Sequence, residues 1–212
     1  MGRLPRTDAF DASAIREIVF VGFPDVELLD LTGPYEVFSS AIGWLDEEVR
    51  PRLRMATASS VTFSSRNGLE MKGQIALSDV DRADLLVVPG GRGVRQLLED
   101  EAFLKDLLGL LEEAHVVLSV CTGSLLLAKL GVLDGRAATS HHTSLEQLRK
   151  LAPTANVHGD RRWVEDGHFV IAAGVSAGLD AAFHVVERLW GAALAQKTAD
   201  DIEYPWPPGN LG

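Results

Sequence analysis

Apolar runs of strand length alternate along the chain with longer stretches of helical period, the signature of βαβ units around a mostly parallel sheet. EIVFVGF, residues 17–23, is a continuous apolar run suited to a strand buried on both faces. Pro34 suits the first turn of a helix, where its missing N–H would have no partner anyway, so a helix is predicted over residues 32–42. RLRMATAS, residues 52–59, reads as the next strand, and Asn67-Gly68 marks a β-hairpin beside or over the main sheet. Residues 85–88 form another buried strand that stops at Pro89-Gly90-Gly91, and short helices follow at 94–99 and 103–112. A strand over 115–120 leads to Cys121 and a helix over 123–130, with Gly131 as its C-terminal cap. RAATS and NVHGDRRWVEDGHFVIAAG supply further strands around a turn at Asp166-Gly167, and helices are predicted over 177–190 and 191–202. The expected fold is α/β: a mostly parallel sheet sandwiched between helices, flavodoxin-like or glutamine-amidotransferase-like, with a small β-hairpin. Residues 15–204 form one domain between a flexible extension, 1–14, and a Pro-rich tail, 205–212.

Residues 116–133 are apolar enough to raise the reading of a membrane span. Lys129, Gly123, Gly131, Thr122 and two serines argue against it, whereas a buried strand followed by a helix accounts for the same residues. The formal charge of −10 disfavours nucleic acid or an anionic membrane surface as partner. A small molecule fits better. A single cysteine allows no internal disulfide, and MGRLPRTDAFDAS lacks the apolar run of a secretory signal, so a cytoplasmic location is expected.

Three features carry candidate chemistry. SVCTGS passes from strand through a sharp turn into a helix, which would thrust Cys121 above the sheet edge beside free N–H groups that favour a thiolate. The same cysteine reads equally as a small apolar filler. In VVPGGRG, Gly90 and Gly91 leave backbone N–H groups open to a reacting atom, or merely make the turn. Asp30, just before the predicted helix, is most simply a cap, yet it shares the carboxyl edge of the sheet with Gly91 and Cys121, where a carboxyl group can transfer protons. His115, His158, His168 and His184 read as structural or solvated, whereas His141 or His142 follows a strand and can reach that edge. No spacing resembles a metal site, and no nucleotide fingerprint is present.

FPDVELLDLTGP, VVPGG, VCTGSLLLAKLGVLDGRAATSHH and GVSAGLDAAFHVVERLWG together resemble the ThiJ/PfpI superfamily, from about residue 15 to residue 204, and within it the isonitrile hydratase branch. The resemblance implies a nucleophile elbow at Cys121, an acid close to it at Asp30, a functional hydroxyl at Thr122, backbone donors around Gly91 and a homodimer. It also implies hydration of an isonitrile to a formamide without a cofactor: Cys121 attacks the terminal carbon, Asp30 shuttles protons, and Thr122 orients water or the substrate nitrogen. Peptidase-like relatives carry histidine after the cysteine, and glyoxalase or deglycase relatives carry glutamate where Asp30 stands. The alternatives are an enzyme acting on reactive carbonyls and a ligand-sensing or redox-sensing domain related to the regulator branch.

Overall fold

The computed structural model describes residues 10–58 and 61–206. In chain order the elements are β1 (Glu17–Gly22), α1 (Leu28–Gly43), β2 (Arg52–Thr57), β3 (Thr62–Ser64), β4 (Glu70–Lys72) and β5 (Ile75–Ala76). They continue with β6 (Leu85–Val88), α2 (Val94–Leu97), α3 (Glu101–Glu113), β7 (Val116–Val120), α4 (Gly123–Lys129) and β8 (Ala137–Ala138). The remainder are α5 (Leu145–Leu151), β9 (Asn156–Val157), β10 (Trp163–Asp166), β11 (Phe169–Ala172), α6 (Ala177–Trp190) and α7 (Ala192–Asp201).

Seven strands pair in the order β10-β11-β7-β6-β1-β2-β5, all parallel except β10 against β11. Every residue of β1, β6, β7 and β11 is buried, as continuous apolar runs require when helices cover both faces of a sheet. One layer is formed by α1, α6 and α7 packed on one another; α2 contacts both α3 and α4, and α4 contacts α5. Within the order β2-β1-β6-β7-β11, the connections run one way from β1 to β2 and the other way from β6 onward. The crevice beside β1 and β6 is therefore a topological switch point, where open α/β sheets place their ligands.

The hairpin forms as expected: β3 and β4 pair antiparallel, with Gly68 at φ 88° in the connecting turn. The first helix departs from expectation. It begins at Leu28, one turn before the predicted start, so Pro34 lies inside it and removes one helical hydrogen bond. No side chain caps this end. Tertiary bonds hold it instead: Glu27 N–H donates to the Gly90 carbonyl at 2.9 Å, and Val26 bridges to both Ser65 and Gly91.

β2 ends at Thr57, and Ser59, the end of the predicted strand, lies outside the described residues. The predicted extension lies outside them up to residue 9. Phe10 sits under the Arg188 guanidinium at 4.6 Å, and Ala12–Ala14 make a 3-10 turn capped by Asp11. At the other end Trp206 is buried and stacked on Phe183, and residues 207–212 are not described. No helix among the described residues is long and apolar enough to cross a membrane.

Candidate active site

Cys121 stands at φ 59°, a left-handed conformation that costs a non-glycine residue of the order of 1 kcal/mol or more. The surroundings impose it. Its N–H lies within hydrogen-bonding distance of the Ala173 carbonyl at 2.8 Å and the Ala172 carbonyl at 3.1 Å, while its own carbonyl accepts the Ser124 and Ser140 hydroxyls, each at 3.0 Å. The short path from β7 into α4 thus holds the thiol out over the carboxyl edge of the sheet.

Asp30 is fully buried, and it is not a cap: it is the third residue of α1. The early start of the helix turns its carboxyl group inward, where Oδ2 accepts the Gly90 N–H at 3.1 Å. Oδ1 has no hydrogen bond of good geometry, and the Cys121 thiol and Val175 N–H stand close enough to the carboxyl group to lower its pKa. Gly90 is required by space. A Cβ there would lie 2.5 Å from the Thr122 nitrogen, 2.7 Å from its Oγ1 and 2.9 Å from Asp30 Oδ2. Gly91 is required by conformation as well, at φ 142° and packed against the backbone of Asp25 to Glu27.

The open backbone donors expected at Gly90 and Gly91 are occupied. The Gly90 N–H serves Asp30, and the Gly91 N–H donates to Thr122 Oγ1 at 3.0 Å. Thr122 Oγ1 in turn donates to the Gly91 carbonyl at 3.3 Å, so its hydroxyl latches this turn and retains only acceptor capacity. The N–H groups that do act on the sulfur are those of Thr122 and Val175, both of which lower the thiol's pKa. Val175 is not among the residues that the sequence singles out. It follows β11 on the same carboxyl edge, in the GVSAG turn at φ 44°, and the edge argument that selects Asp30 and Cys121 applies to it equally.

A thiolate is not the resting state, contrary to the expectation from the helix start. Burial, and then the Asp30 charge, push the Cys121 thiol up to about 12, outweighing the two N–H groups. Burial pushes the Asp30 carboxyl up to about 7. With a carboxylate on one side and a neutral thiol on the other, the pair can pass a proton from sulfur to oxygen when a substrate carbon approaches.

Cys121, with Asp30 buried behind it, opens into a pocket of about 180 Å³ whose walls include Glu27, Arg66, Gly91, Arg92, Arg95, Cys121, His141 and Val175. His141 therefore reaches the site, while the exposed His142 packs against it, ring to ring at 4.3 Å. His141 Nδ1 accepts the Thr143 N–H at 3.3 Å and pairs with its hydroxyl at 2.8 Å, which leaves the proton on Nε2. Burial and the neighbouring His142 hold its pKa below the usual range, keeping it neutral. His184 pairs with Glu165 and stacks on Trp163 away from this pocket, a structural role in keeping with its position in α6.

Comparison with known proteins identifies the family. The chain is 36% identical over 197 residues to the isonitrile hydratase of Pseudomonas putida, covering 92% of this chain and 82% of the relative. It is 26% identical over 157 residues to a deglycase of Pyrococcus furiosus, covering 73% and 87%. A ThiJ/PfpI family protein from Pseudomonas syringae superposes with a TM-score of 0.80 at 27% identity, covering all of this chain and 82% of that one. The DJ-1/PfpI family model matches residues 16–188, and the protein belongs to that family.

Proposed function

We propose that the protein hydrates an isonitrile, R–N≡C, to the N-substituted formamide, with Cys121 as nucleophile. The observation that carries this reading is the buried Asp30 carboxyl group placed beside the only thiol of the chain and fixed by the Gly90 N–H. The similarity to a hydratase supports it. In the first step the thiol proton passes to the Asp30 carboxylate as sulfur attacks the terminal carbon. Asp30 then delivers that proton to the same carbon, giving the thioimidate R–N=CH–S–Cys121 and restoring the carboxylate.

In the second step Asp30 takes a proton from water as the water oxygen adds to the thioimidate carbon. The substrate nitrogen receives that proton. Collapse of the adduct expels sulfur, which regains a proton from the new hydroxyl by way of Asp30, and R–NH–CHO leaves. Splitting one addition into two steps lowers the barrier, and the Thr122 and Val175 N–H groups stabilise sulfur whenever it carries charge. The neutral His141 offers Nε2–H to the substrate.

Formamide production from alkyl and aryl isonitriles by wild type and Cys121→Ala tests the proposal. The expected result is turnover by wild type and none by the variant. Hydration that survives in Cys121→Ala, or conversion of methylglyoxal to lactate by a wild type inert towards isonitriles, would overturn it.

A further inference from the structure

The mouth of the pocket holds a charge imbalance that the hydration chemistry does not use. Three guanidinium groups, Arg66, Arg92 and Arg95, line it against one carboxylate, Glu27. Glu27 is already paired with Arg66 at 2.9 Å. Arg92 and Arg95 are exposed, and among the described residues neither has a carboxylate within ion-pair distance. This concentration of positive charge stands out in a chain where 30 acidic residues outnumber 20 basic ones.

The two free guanidinium groups are also placed. Arg95 N–H donates to the Arg92 carbonyl at 3.2 Å, so the two residues lie one turn apart and share a face. The backbone between them is fixed by the Gly93 N–H, which donates to the Asp25 carbonyl, and by Gly91 packed against residues 25–27. An isonitrile head is neutral and can enter beside the buried Asp30, whereas an anion must stay at the mouth.

We infer that the substrate of this site carries a carboxylate, bound by Arg92 and Arg95 while the reacting carbon reaches Cys121. The inference rests on the proposed hydration for the reaction, but the anion site is testable without it. Guanidinium forks match a carboxylate's two oxygens, and a positive mouth on an acidic protein draws anions towards it.

Cys121 is the sole cysteine, so alkylation reports this pocket alone. The quantity to measure is the rate with iodoacetate divided by the rate with iodoacetamide, in wild type, Arg92→Gln/Arg95→Gln and Arg92→Lys/Arg95→Lys. The ratio is expected to fall roughly tenfold in the glutamine variant, to fall less with lysine, which keeps the charge but loses the fork, and to drop in wild type as salt rises. A ratio equal in wild type and the glutamine variant overturns the inference, and so does inorganic phosphate protecting the thiol better than propionate. Wild type should also favour 4-isocyanobutanoate over butyl isocyanide in kcat/KM. Hydration of both without that preference overturns the inference. If neither is hydrated while the alkylation ratio still depends on the two arginines, the hydration reading fails and the anion site stands.

Discussion

The Cys121 thiol stands beside the Asp30 carboxylate, close enough to lower the pKa of the carboxyl group while the carboxylate raises that of the thiol. The carboxyl, near 7, ionises first, and the sulfur, near 12, keeps its proton. On the proposed mechanism, reactivity then comes from proton relay at the moment of attack rather than from a standing thiolate. Asp30→Asn should therefore move two readouts in opposite directions. Isonitrile hydration should fall by about 10²–10⁴-fold through loss of the proton carrier. Alkylation by iodoacetamide at pH 8 should rise several-fold, because removing the carboxylate charge lowers the thiol's pKa. A variant slower in both assays would show that the carboxylate assists the sulfur more than it restrains it.

The same pair should set the pH dependence of the proposed turnover. Asp30 must be ionised to receive the thiol proton, so kcat/KM should rise with pH through about 7 and level off above it, well short of the thiol's own ionisation. Initial rates between pH 5.5 and 9 measure this limb, and Asp30→Asn should lack it. A profile still climbing steeply between pH 8 and 9 would instead point to the free thiolate as the attacking species.

Stability should respond to the same carboxyl group with the opposite sign. Its pKa is raised on folding, so the folded state holds the proton more tightly than the unfolded state between about 4 and 7. The stability contributed is complete below about pH 4, is lost as the pH rises through about 7, and is absent above. Asp30→Asn should accordingly raise the urea midpoint at pH 8 by an amount worth a few kcal/mol, since each tenfold weakening of the acid on burial costs about 1.4 kcal/mol, and change it little at pH 4. Equal midpoints for wild type and variant at pH 8 would contradict the cost of burying this charge.

Gly90→Ala tests the site's spacing. Its Cβ would meet Thr122 and Asp30 at 2.5–2.9 Å, and two of the three nearest atoms belong to the proposed reacting arrangement. The turn must then open, at about 1–3 kcal/mol. Turnover should fall more than 100-fold while the far-ultraviolet circular dichroism of the folded protein is retained. Near-normal turnover would mean that the contact of Asp30 with Gly90 is dispensable.

Much of the fold is legible in the sequence because local signals and tertiary demands agree. Residues 85–88 and 177–190 are read with the bounds they have in the structure, since an apolar run stopped by Pro-Gly-Gly and an apolar pattern of helical period each suffice. The start of α1 is not legible, because its end is held by the Gly90 carbonyl and the Val26 bridges to Ser65 and Gly91, contacts made across the fold, rather than by a capping side chain. The same kind of contact decides the site. Position on the carboxyl edge selects Asp30, Gly90, Gly91 and Cys121. That the two glycine N–H groups are used by Asp30 and Thr122, and that burial keeps the thiol protonated, depends on residues 60 and 31 positions apart in the chain.

Thr122 separates a latch from a group that touches substrate. Its hydroxyl accepts the Gly91 N–H and donates to the Gly91 carbonyl, so valine of nearly the same shape removes both bonds and serine keeps both. The lost pair leaves a partly buried N–H without a partner, at about 1–3 kcal/mol. Thr122→Val should therefore lower the melting temperature and cut kcat more than tenfold, whereas Thr122→Ser should remain within a few-fold of wild type in both. Thermal melts beside steady-state kinetics for the two variants distinguish the roles. If Thr122→Val melts like wild type yet loses kcat, the hydroxyl acts on water or substrate directly through its remaining lone pair, and the latch is not what the position is for.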